Sequence, residues 1–427
     1  MVLLFIILTL FYSILIFFEL KRFGTFFTPF NLFSFPYIVI SVIFYLLNSL
    51  NLFFYQVDPN RFLLNYLYIA FFYIGSIFFL ILKDVFSLKN TFNRYKIIEK
   101  GNRRNNIINN ILAIVNIIFC MIIFFYILKS ILYIKDTHYI TRQTMQEELG
   151  YGFPGHLTIF LLYYTNFLML SKKERIFSKM LLLLTLIFLL LKSTKYFLLI
   201  YIFSIYLSSC SNKFLKIRDL FLLFLFALIS FVIIYFLYSF YLLGNDKGEI
   251  SEFLKFIFYH LLLYMISPIY NSSLILDLNL FINDYNKIFS NIVNIKEFVL
   301  GNKNYVSGIV DIFIPFYKDY PGSSNVFGFI GDLLIKSNNY MFVFFITIIT
   351  SLISYFIFFL ANYINSTSIK AFNNINLSIL LISFFSFWYG NLFFLEITFV
   401  FLVFSIFEIT LKKYCKRCIK SENIDVS

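Results

Sequence analysis

Long apolar runs, unbroken by charge, decide what this chain folds into. The first occupies 2–18 within the opening MVLLFIILTLFYSILIFF. Others lie at about 31–54, 63–82, 107–134, 156–170, 179–191, 194–210, 219–243, 340–360, 377–389 and 392–411. A helix needs about 20 such residues to cross the hydrocarbon core, whereas a barrel strand alternates with a dyad period over about 10. The runs show no such alternation. Composition agrees: 60% of the 427 residues are hydrophobic and 13% charged, with a mean hydropathy of +0.84. A soluble domain of this make-up would lack the polar surface to cover itself, which excludes a water-soluble enzyme, a disordered chain and a disulfide scaffold. The sequence predicts an all-α polytopic integral membrane protein with about eleven transmembrane helices, one membrane domain over 1–427. The opening run has no basic n-region and no small-residue cleavage site, so it reads as a first span and not a signal peptide.

Charge sets the orientation. The net charge is +13, and in such a chain a basic balance reflects the positive-inside rule and lipid contact, with no nucleic acid implied. Three segments concentrate Lys and Arg: 83–106, 171–179 and the tail after 411. All three are expected in the cytoplasm. The stretch KMLLLLTLIFLLLKSTKYFLLIYIFSIYLSSC at 179–210 decides the parity. As one helix it would put thirteen Lys/Arg of the N-terminal loops outside and three inside, so a hairpin with Lys192 to Lys195 at its outer tip is the consistent solution. None of the four cysteines then lies outside, and a disulfide framework is not expected. Cys415 and Cys418 form a CxxC without a second pair or a nearby His, which argues against zinc.

Two outer regions depart from a plain bundle. Residues 135–155 hold GYGFPG, a turn that needs unusual backbone angles, and form the first candidate functional loop. Residues 244–339 form a much longer loop, and loops of that length are usually functional. It contains FLKFIFYHLLLYMI at 253–266, which reads as helix lying on or dipping into the outer leaflet, or as one member of an extra pair of spans, 256–276 with a partner near 305–317. Gly322, Gly328 and Gly331 suggest a bent or re-entrant approach to the next span. Walker, HExxH and GxSxG motifs are all missing, and His138, His156 and His260 show no metal-ligand spacing.

With its length, span pattern and two outer loops, the chain resembles the bacterial O-antigen and oligosaccharide repeat-unit polymerases (Wzy-type). SSNVFGFIGDLLIKSNNYMFVFFI looks like that family's N-x-[YF]-x-x-x-G-x-x-x-D pattern before a late span, here Asn325, Phe327, Gly331 and Asp332 in approximate spacing. The KSTK turn resembles the family's serine-plus-basic turn, with lysines where relatives often carry arginine, and Tyr139 through Arg142 to Gly152 resembles its Arg-then-Gly loop. The resemblance implies glycosyl transfer on the periplasmic side of the inner membrane. A growing polysaccharide passes from undecaprenyl diphosphate to a lipid-linked repeat unit. It further implies undecaprenyl-diphosphate-linked oligosaccharides and membrane lipids as partners, alongside a chain-length regulator and a flippase of the same pathway. An O-antigen ligase and a lipid-linked oligosaccharide flippase remain open beside it. One 96-residue outer loop and nearly charge-free spans favour an enzyme over a flippase.

Such chemistry needs cations for two diphosphates and a group to accept a hydroxyl proton. A diphosphate leaving group paired by Lys or Arg needs no metal or other cofactor, and none is expected. Arg142, Lys192 and Lys195, all placed outside, are the diphosphate candidates, with Asn325 and Glu396 added as substrate-binding residues. His260, Asp319 and Asp332 are the candidates for catalytic base.

Overall fold

The computed structural model describes residues 2–58, 63–85, 105–137, 152–171, 175–192, 195–210, 250–384 and 396–410, apart from 276, 303, 305, 309, 319–322 and 365, with scattered positions in 218–233. In chain order the helices are α1 (Val2–Phe23), α2 (Pro29–Ser49), α3 (Leu63–Val85), α4 (Asn105–Thr137), α5 (Gly152–Ser171), α6 (Arg175–Lys192) and α7 (Lys195–Ser209). After them come α8 (Ile250–Leu274), α9 (Tyr285–Ile288) and α10 (Ser290–Val299). The short strands β1 (Ile314–Pro315) and β2 (Ser323–Ser324) pair antiparallel, Ile314 opposite Ser324. The chain continues through α11 (Gly328–Ser337), α12 (Tyr340–Tyr363), α13 (Thr367–Ile382) and α14 (396–410).

The protein is thus a helical membrane protein. Among the described residues five helices are long and apolar enough to cross a bilayer: Val2–Phe23, Pro29–Ser49, Leu63–Asp84, Leu112–Leu132 and Tyr340–Tyr363. Along α1 the outward side chains are Leu3, Ile7, Leu10, Ile14 and Phe17, an apolar surface that only lipid covers at low cost. Most of the expected span at 219–243, the greater part of the 135–155 loop and the Cys415–Cys418 pair lie outside the described residues.

The chain forms two compact units. The first comprises Met1–Lys89, Asn212–Phe356 and Asn376–Leu392. Here α2 starts on a Thr28 cap that accepts from the Asn31 N–H, with Pro29 at the first helical position, where its missing N–H costs nothing. After α2 the Asn48 amide clamps both backbone groups of Val57 at 3.0 Å, closing the turn that ends the helix short of the expected residue 54. A Cβ on Gly75 of α3 would lie 2.6 Å from the Ser351 Cβ of α12. This is the close approach that small residues allow between membrane helices, and Ser351 Oγ uses it to donate to the Phe72 carbonyl at 2.7 Å. The long segment from 250 to 339 is ordered around α8, which packs on α2 and α11. An extra span near 305–317 does not form: the described residues there include no helix and end in β1 and an isolated bridge from Tyr317 to Phe54.

The second unit comprises Asn90–Ser211, Ile357–Ile375 and Phe393–Ser427. The 179–210 run folds as two helices, as the charge count requires. α6 and α7 pack on each other, and the Tyr201 hydroxyl reaches back to donate to the Leu182 carbonyl at 2.9 Å. Buried amides link the helices. Asn166 donates to Ser204 Oγ and accepts from Ser208 Oγ, and Asn116 accepts from the Tyr164 hydroxyl at 2.7 Å. Phe404 of α14 sits among Phe160, Tyr163, Tyr164 and Phe167, with ring centroids 5.2–5.7 Å apart. Glu408 caps α13 by accepting from the Thr367 and Ser368 N–H groups and the Ser366 hydroxyl.

Candidate functional site

In the second unit the first turn of α5 has the sequence GFPGH, and Pro154 there is compatible with helix because it lies where no intrahelical N–H bond is needed. One turn on, Thr158 Oγ1 donates to the Pro154 carbonyl at 2.9 Å and accepts from Lys192 Nζ at 2.9 Å. Lys192 ends α6 beyond the apolar stretch 179–191, yet it is only 2% exposed. Its ammonium lies 5.2 Å from the Phe197 ring centroid. Burial pushes its pKa down to about 8, with Glu396 opposing that shift. Glu396 opens α14 and places Oε1 3.3 Å from His156 Nδ1. The His156 side chain is 72% exposed. A lysine, a carboxylate and an imidazole thus come together from the start of α5, the end of α6 and the start of α14. The lysine suits an anionic group, and a carboxylate at Nδ1 fixes an imidazole so that Nε2 exchanges the proton.

In the first unit the centre is α11, all ten residues of which are buried. It carries an ion pair: Lys336 Nζ lies 2.6 Å from Asp332 Oδ2, with 2% and 1% side-chain exposure. The helix N-terminus is packed tightly. Gly328 has φ +66°, and a Cβ there would meet the Phe384 carbonyl at 2.9 Å and the Tyr37 hydroxyl at 3.4 Å. Phe329 N–H donates to the Ser383 carbonyl, Ser272 Oγ donates to the Phe327 carbonyl, and Asn271 Nδ2 donates to the Ser324 and Val326 carbonyls. At the other end Asn338 turns left-handed, and the 282–284 segment donates to the Ile335 and Lys336 carbonyls at 2.8 Å. The bend expected before the last long span is this buried helix and its cap.

Gly328→Ala is expected to destabilise the protein by about 1–3 kcal/mol, because a Cβ meets a backbone carbonyl at a left-handed position. Gly331→Ala runs into Ser272 Oγ and should be partly rescued by Ser272→Ala. Thermal unfolding of the detergent-solubilised protein measures both. A Gly328→Ala protein that melts with the wild type removes the close-packing argument.

The sequence-predicted residues divide between the units. Lys192 and Glu396 both belong to the second, where Glu396 acts on Lys192 electrostatically, and Lys195 opens α7 across the hairpin tip from Lys192. Asp332 and Asn325 belong to the first, where Asn325 Nδ2 donates to the Val310 carbonyl at 3.0 Å. His260 lies in α8 with Nδ1 3.2 Å from the Phe256 carbonyl and its ring on Phe256, a packed environment. Arg142 and Asp319 lie outside the described residues. Sequence reasoning weighed His156 and set it aside, and it passed over Thr158 and Lys336. Only Lys336 carried a local signal, its i+4 spacing from Asp332. Among the described residues no three His, Cys, Asp or Glu side chains gather as a metal site would require.

Fold and sites define a polytopic helical membrane protein with two polar clusters, one in each unit. The chain belongs to the Family of unknown function (DUF6337), whose profile matches residues 54–414. No curated protein and no solved structure matches it.

Proposed function

We propose that this protein is a membrane-embedded repeat-unit polymerase. It transfers a growing polysaccharide from undecaprenyl diphosphate to a lipid-linked repeat unit at the periplasmic face of a bacterial inner membrane. On this reading the chain crosses the membrane eleven times, and 135–155 and 244–339 are its functional periplasmic loops, the second partly embedded.

The observation that carries the reading is the cluster of Lys192, Glu396 and His156. Lys192, with Arg142 and Lys195 as its proposed companions, holds the diphosphate of the donor. The acceptor hydroxyl attacks the anomeric carbon, the bond to the diphosphate oxygen breaks, and its electron pair leaves on undecaprenyl diphosphate. The hydroxyl proton passes to His156 Nε2, while Glu396 orients the ring through Nδ1. Asp332, bound to Lys336 in the interior of the first unit, is assigned to holding α11 in place.

The test is a clean deletion with the other cluster genes intact. The expected result is lipid A capped by a single repeat unit, read as one band in place of a ladder. Repeat units accumulating on the cytoplasmic face would favour a flippase, and long polymer left on undecaprenyl diphosphate with uncapped lipid A would favour a ligase.

A further inference from the structure

We infer that α10 is an interfacial anchor whose exposed stripe is seated in the bilayer, at the boundary between headgroups and acyl chains. Its apolar residues Ile292, Ile295 and Val299, followed by Leu300, recur at helical spacing, and each is more than half exposed. The opposite side is fixed to the protein. Asn294 makes two hydrogen bonds with the backbone of Val306, at 2.7 and 3.0 Å, and a Cβ on Gly308 would fall 2.6 Å from Ser290 Oγ. The stripe is therefore presented outward by a rigid mount.

The level of the helix relative to the membrane follows from what precedes it. Tyr285 of α9 and Phe289 place their rings edge-on to Phe342, with centroids 5.2 and 6.1 Å away. The Tyr285 hydroxyl also donates to the Ser337 carbonyl, and the Asp284 N–H to the Lys336 carbonyl. Phe342 is the third residue of α12, a spanning helix. At ~1.5 Å per residue that 24-residue helix is about 36 Å long, against about 30 Å of hydrocarbon, so its first turn lies in the interfacial layer. Exposed Met341 and Phe345 on its first two turns are already lipid-facing in character. α10 thus begins at the level of the headgroups. An amphipathic helix held there has acyl chains and glycerol groups as the partner for its apolar stripe. Lys296, exposed in the same stripe, and Lys287 in α9 have the reach to extend their ammonium groups to anionic headgroups.

The experiment uses the full chain in nanodiscs holding one copy each, with Cys120, Cys210, Cys415 and Cys418 replaced by Ser. Single cysteines at Ile292, Ile295, Val299 and, as the aqueous reference, exposed Asn302 carry an environment-sensitive NBD label. Labels on the stripe should emit to the blue of the Asn302 label. Lipids with a nitroxide at carbon 5 should quench them more than lipids with one at carbon 12, and aqueous iodide should quench them several-fold less than the Asn302 label. Iodide quenching equal to that at Asn302, with no quenching by nitroxide lipids, overturns the inference. So does protection seen only at high protein density, which gives the stripe to a second copy. Stronger quenching from carbon 12 also overturns it, since the helix would then be buried in the core.

Discussion

Lys336→Ala is expected to destabilise the protein by about 3–5 kcal/mol, because it takes the lysine of the ion pair away from the Asp332 carboxylate in a site that is 1% exposed. Both ions are desolvated, and neither charge is tolerable there alone. The cost lies in breaking the pair and not in lacking it. Asp332→Leu combined with Lys336→Met keeps volume and removes both charges, so the double variant should recover most of the loss. Unfolding in detergent, followed by intrinsic fluorescence, measures the three proteins side by side. If the double variant falls as far as Lys336→Ala, the ion pair is not what holds α11.

Helical class and the strongest spans were readable from residue pattern alone, because a run such as 2–18 has one physical solution in lipid. The 179–210 run was not, since 32 largely apolar residues suit one long helix or two short ones equally well. Charge asymmetry favoured the turn at 192–195, and the Tyr201 to Leu182 bond gives the local reason the arms stay together. The buried helix α11 was half-visible: Gly328 and Gly331 suggested a bent or re-entrant approach to the next span, but nothing in the composition distinguishes a buried Asp–Lys pair from a solvated one. The second unit's cluster was the least readable. His156 and Glu396 lie 240 positions apart, and His156 taken alone is an ordinary surface histidine. Only the packing of α14 on α5, through Phe404 and its ring neighbours, brings the two together.

Substitutions at that cluster separate a working site from a set of topology signals. His156→Ala should lower polymer formation by roughly 10²–10⁴-fold, the usual contribution of a positioned general base. Glu396→Gln keeps an oxygen near Nδ1 to orient the ring, and a smaller loss is expected. Lys192→Ala removes charge-assisted bonds to the leaving diphosphate worth about 1.5–3 kcal/mol, or roughly 10- to 150-fold in rate. Lys192→Arg should retain part of the activity, because the charge stays while the fit to Thr158 and Phe197 changes. Burial holds the Lys192 pKa down at about 8, so the cation is lost as pH rises through that value. Wild-type activity should therefore fall above pH 8, and Lys192→Arg should carry that falling limb to higher pH, since a guanidinium keeps its proton. Each protein is compared at matched membrane abundance, by the length distribution of polysaccharide formed from lipid-linked repeat units in membranes. If the cluster only sets topology or packing, the distribution stays that of the wild type in all four variants and the alkaline limb does not move with Lys192→Arg. That outcome removes the cluster from the reaction and leaves its lysine as a buried topology signal.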